Sequence, residues 1–170
     1  MLWIMPEQAS FEPRLTLEEC TEAAQRFLQK HGYAPMEASY YQVYDGLAVI
    51  HFTALQDGVL LYPDQLKLQI RMDTGEAVGL EAHQYLMNHA QRTNLAPALT
   101  QEQALESVSP QLAVEQVRLC VIPEGSGERL CYEITGTFTQ QTYMVYIDAA
   151  TGEEADVLML MDGAEGPLAA

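Results

Sequence analysis

The stretch YMVYIDAATGEE runs from Tyr143 to Glu154, and LQIRMDTGE runs from Leu68 to Glu76. Each reads as a strand, with apolar residues at alternate positions, followed by an Asp and then by Thr-Gly-Glu. Glycine there supplies the positive φ of a tight turn, and the Asp and Thr side chains bond the turn backbone. The same strand and turn written twice in 170 residues predict an architecture that occurs twice.

Upstream of each phrase stands a matching helix start. EPRLTLEEC (Glu12 to Cys20) and APALTQEQA (Ala96 to Ala104) align 84 positions apart, pairing Pro13 with Pro97, Leu15 with Leu99 and Thr16 with Thr100. Thr16-x-x-Glu19 is a capping box, and Thr100-x-x-Gln103 repeats it; Leu15 with Cys20, and Leu99 with Ala104, stand where a hydrophobic staple closes. In the first helix Leu17, Cys20, Ala24, Phe27, Leu28 and His31 recur at helical spacing until Gly32 stops it. In the second, Leu105, Val108 and Leu112 do the same, and Pro110 shortens the helix.

After each helix the period changes to two. Asp45-Gly46 separates SYYQVY from LAVIHF, a two-residue hairpin signal that fixes the register. Tyr41, Val43, Ala48, Ile50 and Phe52 then share one face, and Tyr40, Gln42, Tyr44, Val49 and His51 the other. In the second copy PEGSGE joins VRLCVI to RLCYEI. Val117, Leu119 and Val121 fall opposite Ile134, Tyr132 and Leu130, with Arg118 across from Glu133 and Cys120 across from Cys131. One face is apolar and the other polar. The predicted fold class is α+β: two tandem units, each a helix packed on a small antiparallel sheet. Residues 1–15 read as a stub or the last strand of a preceding repeat, 16–94 as the first domain, 95–162 as the second and 163–170 as a flexible tail.

Charge narrows the partners. The chain carries 24 Asp and Glu against 8 Lys and Arg, a formal net charge of -16. That argues against nucleic acid or an anionic membrane surface, and is compatible with a basic protein. No window holds the apolar run of about 18 residues that a transmembrane helix needs, and MLWIMPEQASFEP lacks the basic start of a signal peptide. Apolar residues make up 48%, enough for a packed core.

Catalytic and metal chemistry find no constellation in the sequence. His83 and His89 are six apart, not the three or four that place two ligands on one helix face. Asp148, Glu153, Glu154 and Asp156 lack the order of a calcium loop and read as a solvated turn. The glycines of Gly125-Ser126-Gly127 belong to a hairpin loop, not a nucleophile elbow. Cys120 and Cys131 read as two free thiols, because a cross-strand disulfide is usually strained, and Cys20 reads as core. No enzyme, metal or cofactor is expected.

Tyr143, Val145, Ile147, Asp148, Thr151, Gly152 and Glu153 resemble the closing strand and turn of the PepSY domain family. In the first copy Leu68, Ile70 and Met72 stand for the strand residues, ahead of Asp73, Thr74, Gly75 and Glu76. More narrowly, FLQKHGYAPMEASYY, VLLYPDQLKL, DTGEAVGLEAHQYLMNHAQR and ERLCYEITG, in that order, resemble the C-terminal PepSY repeats of YpeB-like spore germination proteins. The resemblance implies a non-catalytic protein held by an N-terminal anchor in the spore intermembrane space. Its implied partner is a cortex-lytic cell-wall hydrolase, SleB-like, and acidic charge suits a basic enzyme. The alternative is a secreted PepSY-type peptidase inhibitor or propeptide-like regulator. The face expected to meet a protein partner is Tyr40, Tyr44, Val49 and His51, because aromatic side chains bury large area at modest entropy cost.

Overall fold

The computed structural model describes residues 12–163 and 166–169, with backbone alone for 161–163 and 166–169. Most of the stretch expected as a stub, residues 1–11, lies outside the described residues. The chain divides into two compact units: the described residues up to Gln56 with Pro63–Ala90, and Asp57–Tyr62 with the described residues from Gln91 onward. The sequence reading set its single boundary at 94/95 and did not assign the segment 57–62 to the later unit.

In the first unit, α1 (Leu17–Lys30) begins at Thr16 with both halves of the capping box made. The Glu19 amide donates to Thr16 Oγ1 at 3.2 Å, and the Thr16 amide to Glu19 Oε2 at 2.8 Å. Two otherwise unpartnered amides of the first turn are thereby satisfied. Cys20, Ala24 and Leu28 form the buried stripe. The strands β1 (Met36–Tyr44) and β2 (Leu47–Gln56) are joined by Asp45 and Gly46, both at positive φ, 47° and 78°. That is the primed turn whose twist matches the strands. Tyr41 faces Ile50 and Val43 faces Ala48, the expected register. Ala48, Ile50, Phe52 and Ala54 are buried on the inner face. The strand β3 (Val59–Arg71) pairs antiparallel with β4 (Ala77–Glu81), and a short helix, α2 (His83–Asn88), follows that the sequence reading did not anticipate.

In the second unit, α3 (Gln101–Glu106) repeats the capping box at Thr100 but runs only 6 residues against 14 in α1. Pro110, at the position matching Arg26 of α1, has no amide to give a helix and disfavours helical geometry at Ser109. The strands β5 (Ala113–Glu124), β6 (Gly127–Phe138), β7 (Gln141–Asp148), β8 (Glu154–Gly163) and β9 (Gly166–Ala169) pair antiparallel in sequence order. The expected six-residue loop contracts to Gly125-Ser126, and the opposed pairs Val117–Ile134, Leu119–Tyr132 and Cys120–Cys131 are present. The sheet is not purely antiparallel: the first residues of β3 pair parallel with β5, Leu60 beside Cys120 and Leu61 beside Val121. Residues 166–169, within the stretch expected as a tail, pair with β8. Ala104, Tyr132, Ile134, Val145, Ile147 and Ala149 form the core.

The closing turns superpose the two copies and correct their alignment. The Gly75 amide donates to the Arg71 carbonyl at 2.8 Å, and the Gly152 amide to the Asp148 carbonyl at 2.9 Å. Arg71 is therefore the counterpart of Asp148, and Leu66, Leu68 and Ile70 are the counterparts of Tyr143, Val145 and Ile147. The expected set Leu68, Ile70 and Met72 is two residues late, because the aspartates of the two phrases occupy different turn positions. Asp148 Oδ1 accepts from the Ala150 and Thr151 amides at 2.7 and 3.0 Å. Asp73 instead pairs with Arg71 at 2.6 Å, and that hydrogen bond holds its carboxyl below the usual range. Gly75 and Gly152 have φ of 75° and 78°, and a Cβ on either would come 3.2 Å from a leucine, Leu15 or Leu99.

Candidate protein-interaction face

The outer face of the β1–β2 hairpin holds the residues singled out from the sequence. Tyr40 stands opposite His51, Gln42 opposite Val49, and Tyr44 opposite Leu47. Directly opposed residues of an antiparallel pair share a face, so Tyr40, Tyr44, Val49 and His51 lie together. The Tyr40 and His51 rings meet nearly perpendicular, centroids 5.0 Å apart, the edge-to-face arrangement that aromatic quadrupoles favour. Tyr40, Val49 and His51 are half-buried, while Tyr44 is 47% exposed.

Polar groups beside these rings are paired within the same face. Thr53 is fully buried and is satisfied by its hydroxyl contact with Ser39 at 3.4 Å and by Gln65 Nε2 donating at 3.2 Å. Lys67 pairs with Glu81 at 3.4 Å. The His51 pKa is lowered from its ordinary value by burial and by Lys67, with Glu81 opposing. The ring is therefore predominantly neutral at pH 7, and the face presents aromatic and aliphatic surface rather than a positive charge.

The other histidines have separate structural tasks. His31 caps α1 through Nδ1 and the Phe27 carbonyl at 2.7 Å. His89 Nδ1 lies 2.6 Å from Oδ2 of the fully buried Asp64, and its ring stacks on Tyr85 with centroids 4.3 Å apart. His83 is exposed at the start of α2. Among the described residues no group of three His, Cys, Asp or Glu is arranged to hold a metal ion, and no helix is long and apolar enough to cross a membrane.

The polar face expected on the second sheet is buried at its middle. Glu133 is 4% exposed, and the Tyr62 hydroxyl donates to its carboxylate at 2.5 Å, the length of a charge-assisted bond. Tyr146 crosses Tyr62 edge to face, with centroids 6.4 Å apart. Burial and the neighbouring carboxylate push both phenols up. Cys120 and Cys131 are opposed, buried and unbridged. Burial raises both thiols, Cys131 to about 11 with Asp148 adding to it, so both stay protonated and weakly reactive at pH 7. Sequence reasoning missed the Tyr62–Glu133 pair because Tyr62 enters through a parallel pairing that no turn signal announces. It missed Asp64–His89 because 25 residues separate the partners.

Comparison with known proteins places this architecture. Residues 1–95 match the family described as YpeB sporulation, PepSY1 and PepSY2 domains, and residues 98–158 match the peptidase propeptide and YPEB domain. A sporulation protein YpeB from Halalkalibacterium halodurans is 36% identical over 157 residues, covering 92% of this chain and 35% of that protein. Sporulation protein YpeB from Bacillus subtilis is 30% identical over 149 residues, covering 86% and 33%. The chain thus spans about a third of the length of these curated relatives. The solved Bacillus megaterium YpeB C-terminal domain superposes with a TM-score of 0.78 at 29% identity, covering 95% of this chain and 72% of that one. With its capped helices, its twice-written closing turn and a family match over more than half its length, the chain belongs to the YpeB sporulation family.

Proposed function

We propose that this chain is a non-catalytic protein-binding module of a sporulation protein, made of two PepSY-like domains, 16–94 and 95–162. Its partner is a cortex-lytic cell-wall hydrolase of the SleB type, which it stabilises, localises or restrains. The site of action is extracytoplasmic, in the spore intermembrane space, reached through an N-terminal anchor of the longer protein. The observation that carries the reading is the half-exposed aromatic face of Tyr40, Tyr44, Val49 and His51 on a unit of this family. Large rigid rings beside already paired polar groups suit a protein interface. The net charge of -16 favours a basic partner and adds a salt-sensitive component to association.

Co-purification with the SleB-like hydrolase of the same genome tests this. A salt-sensitive complex is expected, and Tyr44→Ala is expected to weaken it about tenfold or more, the loss of a well-packed aromatic contact, with the melting temperature unchanged. Absence of a complex with both this chain and its full-length parent would remove the hydrolase from the reading. A second reading has one observation in its favour, the propeptide description matched over residues 98–158. On that reading the chain is a secreted peptidase inhibitor, and it requires saturable inhibition of a peptidase competitive with substrate.

A further inference from the structure

The second unit holds an apolar groove where the first unit has helix. Its wall is formed by Val108 and Leu112, and its floor includes Phe138, Val145 and Val157; its volume is about 240 Å³. Val108 and Leu112 are 84 positions beyond Ala24 and Leu28, two of the buried residues of α1. Val145 and Val157 are opposed across β7 and β8, as their counterparts Leu68 and Leu80 are across β3 and β4. Leu68 and Val145 are both buried, but Val157 is 41% exposed where its counterpart Leu80 is half-buried, and Phe138 is 40% exposed where its counterpart Ala54 is fully buried. The difference in helix length, 14 residues less 6, is 8 residues, or about two helical turns at 3.6 residues per turn.

The inner strand carries the same difference. Phe52, fully buried, faces Ala38 across β1 and β2. Its counterpart Gly136 faces Val114 across β5 and β6. A Cβ on Gly136 would lie 2.9 Å from Leu112 Cγ and 2.7 Å from the Ala113 carbonyl. Without a side chain there, the turn after α3 drops onto the sheet, and the two missing turns leave an open apolar channel. Glu154 lines that channel, and no lining residue is basic. The basic residues from Gln91 onward are three arginines, of which Arg92 pairs with Glu128 at 2.6 Å and Arg129 pairs with Glu124.

We infer that this groove binds a short amphipathic helix of a partner protein, apolar on one face and bearing Lys or Arg on the other. It lies where residues 107–112 leave the helical course that their counterparts keep in α1, and that part of α1 sets Phe27 and Leu28 beside Arg26 and Lys30. The apolar face supplies the area removed from water, and Glu154, in a chain of net charge -16, selects the charge. Charge disfavours a second copy of this chain, because each copy carries -16. The groove is independent of the face on β1 and β2 and of the identity of the hydrolase.

Titration of the whole chain with a synthetic Leu/Ala/Lys amphipathic helix, followed by methyl NMR, tests the inference. Shifts confined to Val108, Leu112, Val145 and Val157 are expected, with no binding by the same peptide carrying Glu in place of Lys. Val157→Lys is expected to weaken binding about tenfold or more, roughly the 1.4 kcal/mol of one tenfold step, while the melting curve is unchanged. Should Val157→Lys unfold the unit, Glu154→Gln serves instead and is expected to reduce the salt dependence of binding. Unshifted groove methyls overturn the inference, as does equal binding of the acidic peptide. A concentration-dependent dimer dissolved by Val157→Lys would assign the groove to a second copy and overturn it as well.

Discussion

The first unit closes its sheet with four turns of α1, and the second stops α3 after six residues. Both begin with the same threonine cap and tuck the same leucine under the same positive-φ glycine. The divergence lies in two substitutions at matched positions, Arg26 to Pro110 and Phe52 to Gly136. One removes the amide that would continue the helix; the other removes the side chain on which a continued helix would rest. A repeat can thus keep its start, register and closing turn while exchanging a packed face for an open one.

The largest expected effect breaks or upholds that contrast directly. Leu28 is 3% exposed under the long helix, so Leu28→Ala is expected to cost about 2–5 kcal/mol by urea denaturation. Leu112, its counterpart, is half-buried along the groove. Leu112→Ala is expected to cost about 1 kcal/mol, because a side chain already part-solvated leaves a smaller cavity. Equal losses would mean that the groove is packed in solution and that the two helices are energetically alike.

The second test concerns the opposite face of the second sheet. Tyr62→Phe removes the hydroxyl that donates to the buried Glu133 carboxylate. Loss of a hydrogen bond to a charged group is worth about 1.5–3 kcal/mol, and hydrogen exchange is expected to show that loss in β5, β6 and β7. On the outer face of the first unit the buried Thr53 is held by neutral groups instead, and the Lys67–Glu81 pair is part exposed. Protection lost evenly over the whole chain would place the pair in a single cooperative core instead.

What the sequence made legible was local. The Asp45-Gly46 hairpin, both capping boxes and the β5–β6 register followed from signals a few residues long. The β6–β7 turn carried no such signal: Thr139 and Gln140 both adopt positive φ, 47° and 66°, without a glycine or asparagine to mark it. The parallel pairing of β3 with β5, and Tyr62 with it, depends on where a distant strand lands. Pro110 was legible as a helix stop, but the groove it opens required knowing that Gly136 matches Phe52, and that needs the register of both sheets at once. The aromatic face was readable from alternation alone, whereas the charges beside it, Lys67 and Glu81, come from strands whose pairing the hairpin does not fix.

The smallest expected effect again separates the units, through pH. His51 belongs to the first unit, and no histidine follows Gln91. The folded pKa of His51 is lowered by burial and by Lys67, against Glu81. In the unfolded chain its pKa is about 6.5. As pH falls through that value the unfolded state takes up the proton that the folded state resists, so stability falls, and it levels off only below the folded pKa. The stabilising contribution is fully present above pH 6.5. His51→Phe retains a ring against Tyr40 and cannot titrate, so its stability is expected to decline less between pH 7.5 and 5.5 than that of the wild type. The other three histidines are common to both proteins and cancel in the difference. Amide exchange read separately in β2 and β7 then locates the response: β2 should lose protection on acidification in the wild type more than in His51→Phe, and β7 should differ little between them. Identical pH slopes for the two proteins would show that the imidazole keeps its ordinary proton affinity on this face, and with it that the face carries positive charge in mild acid.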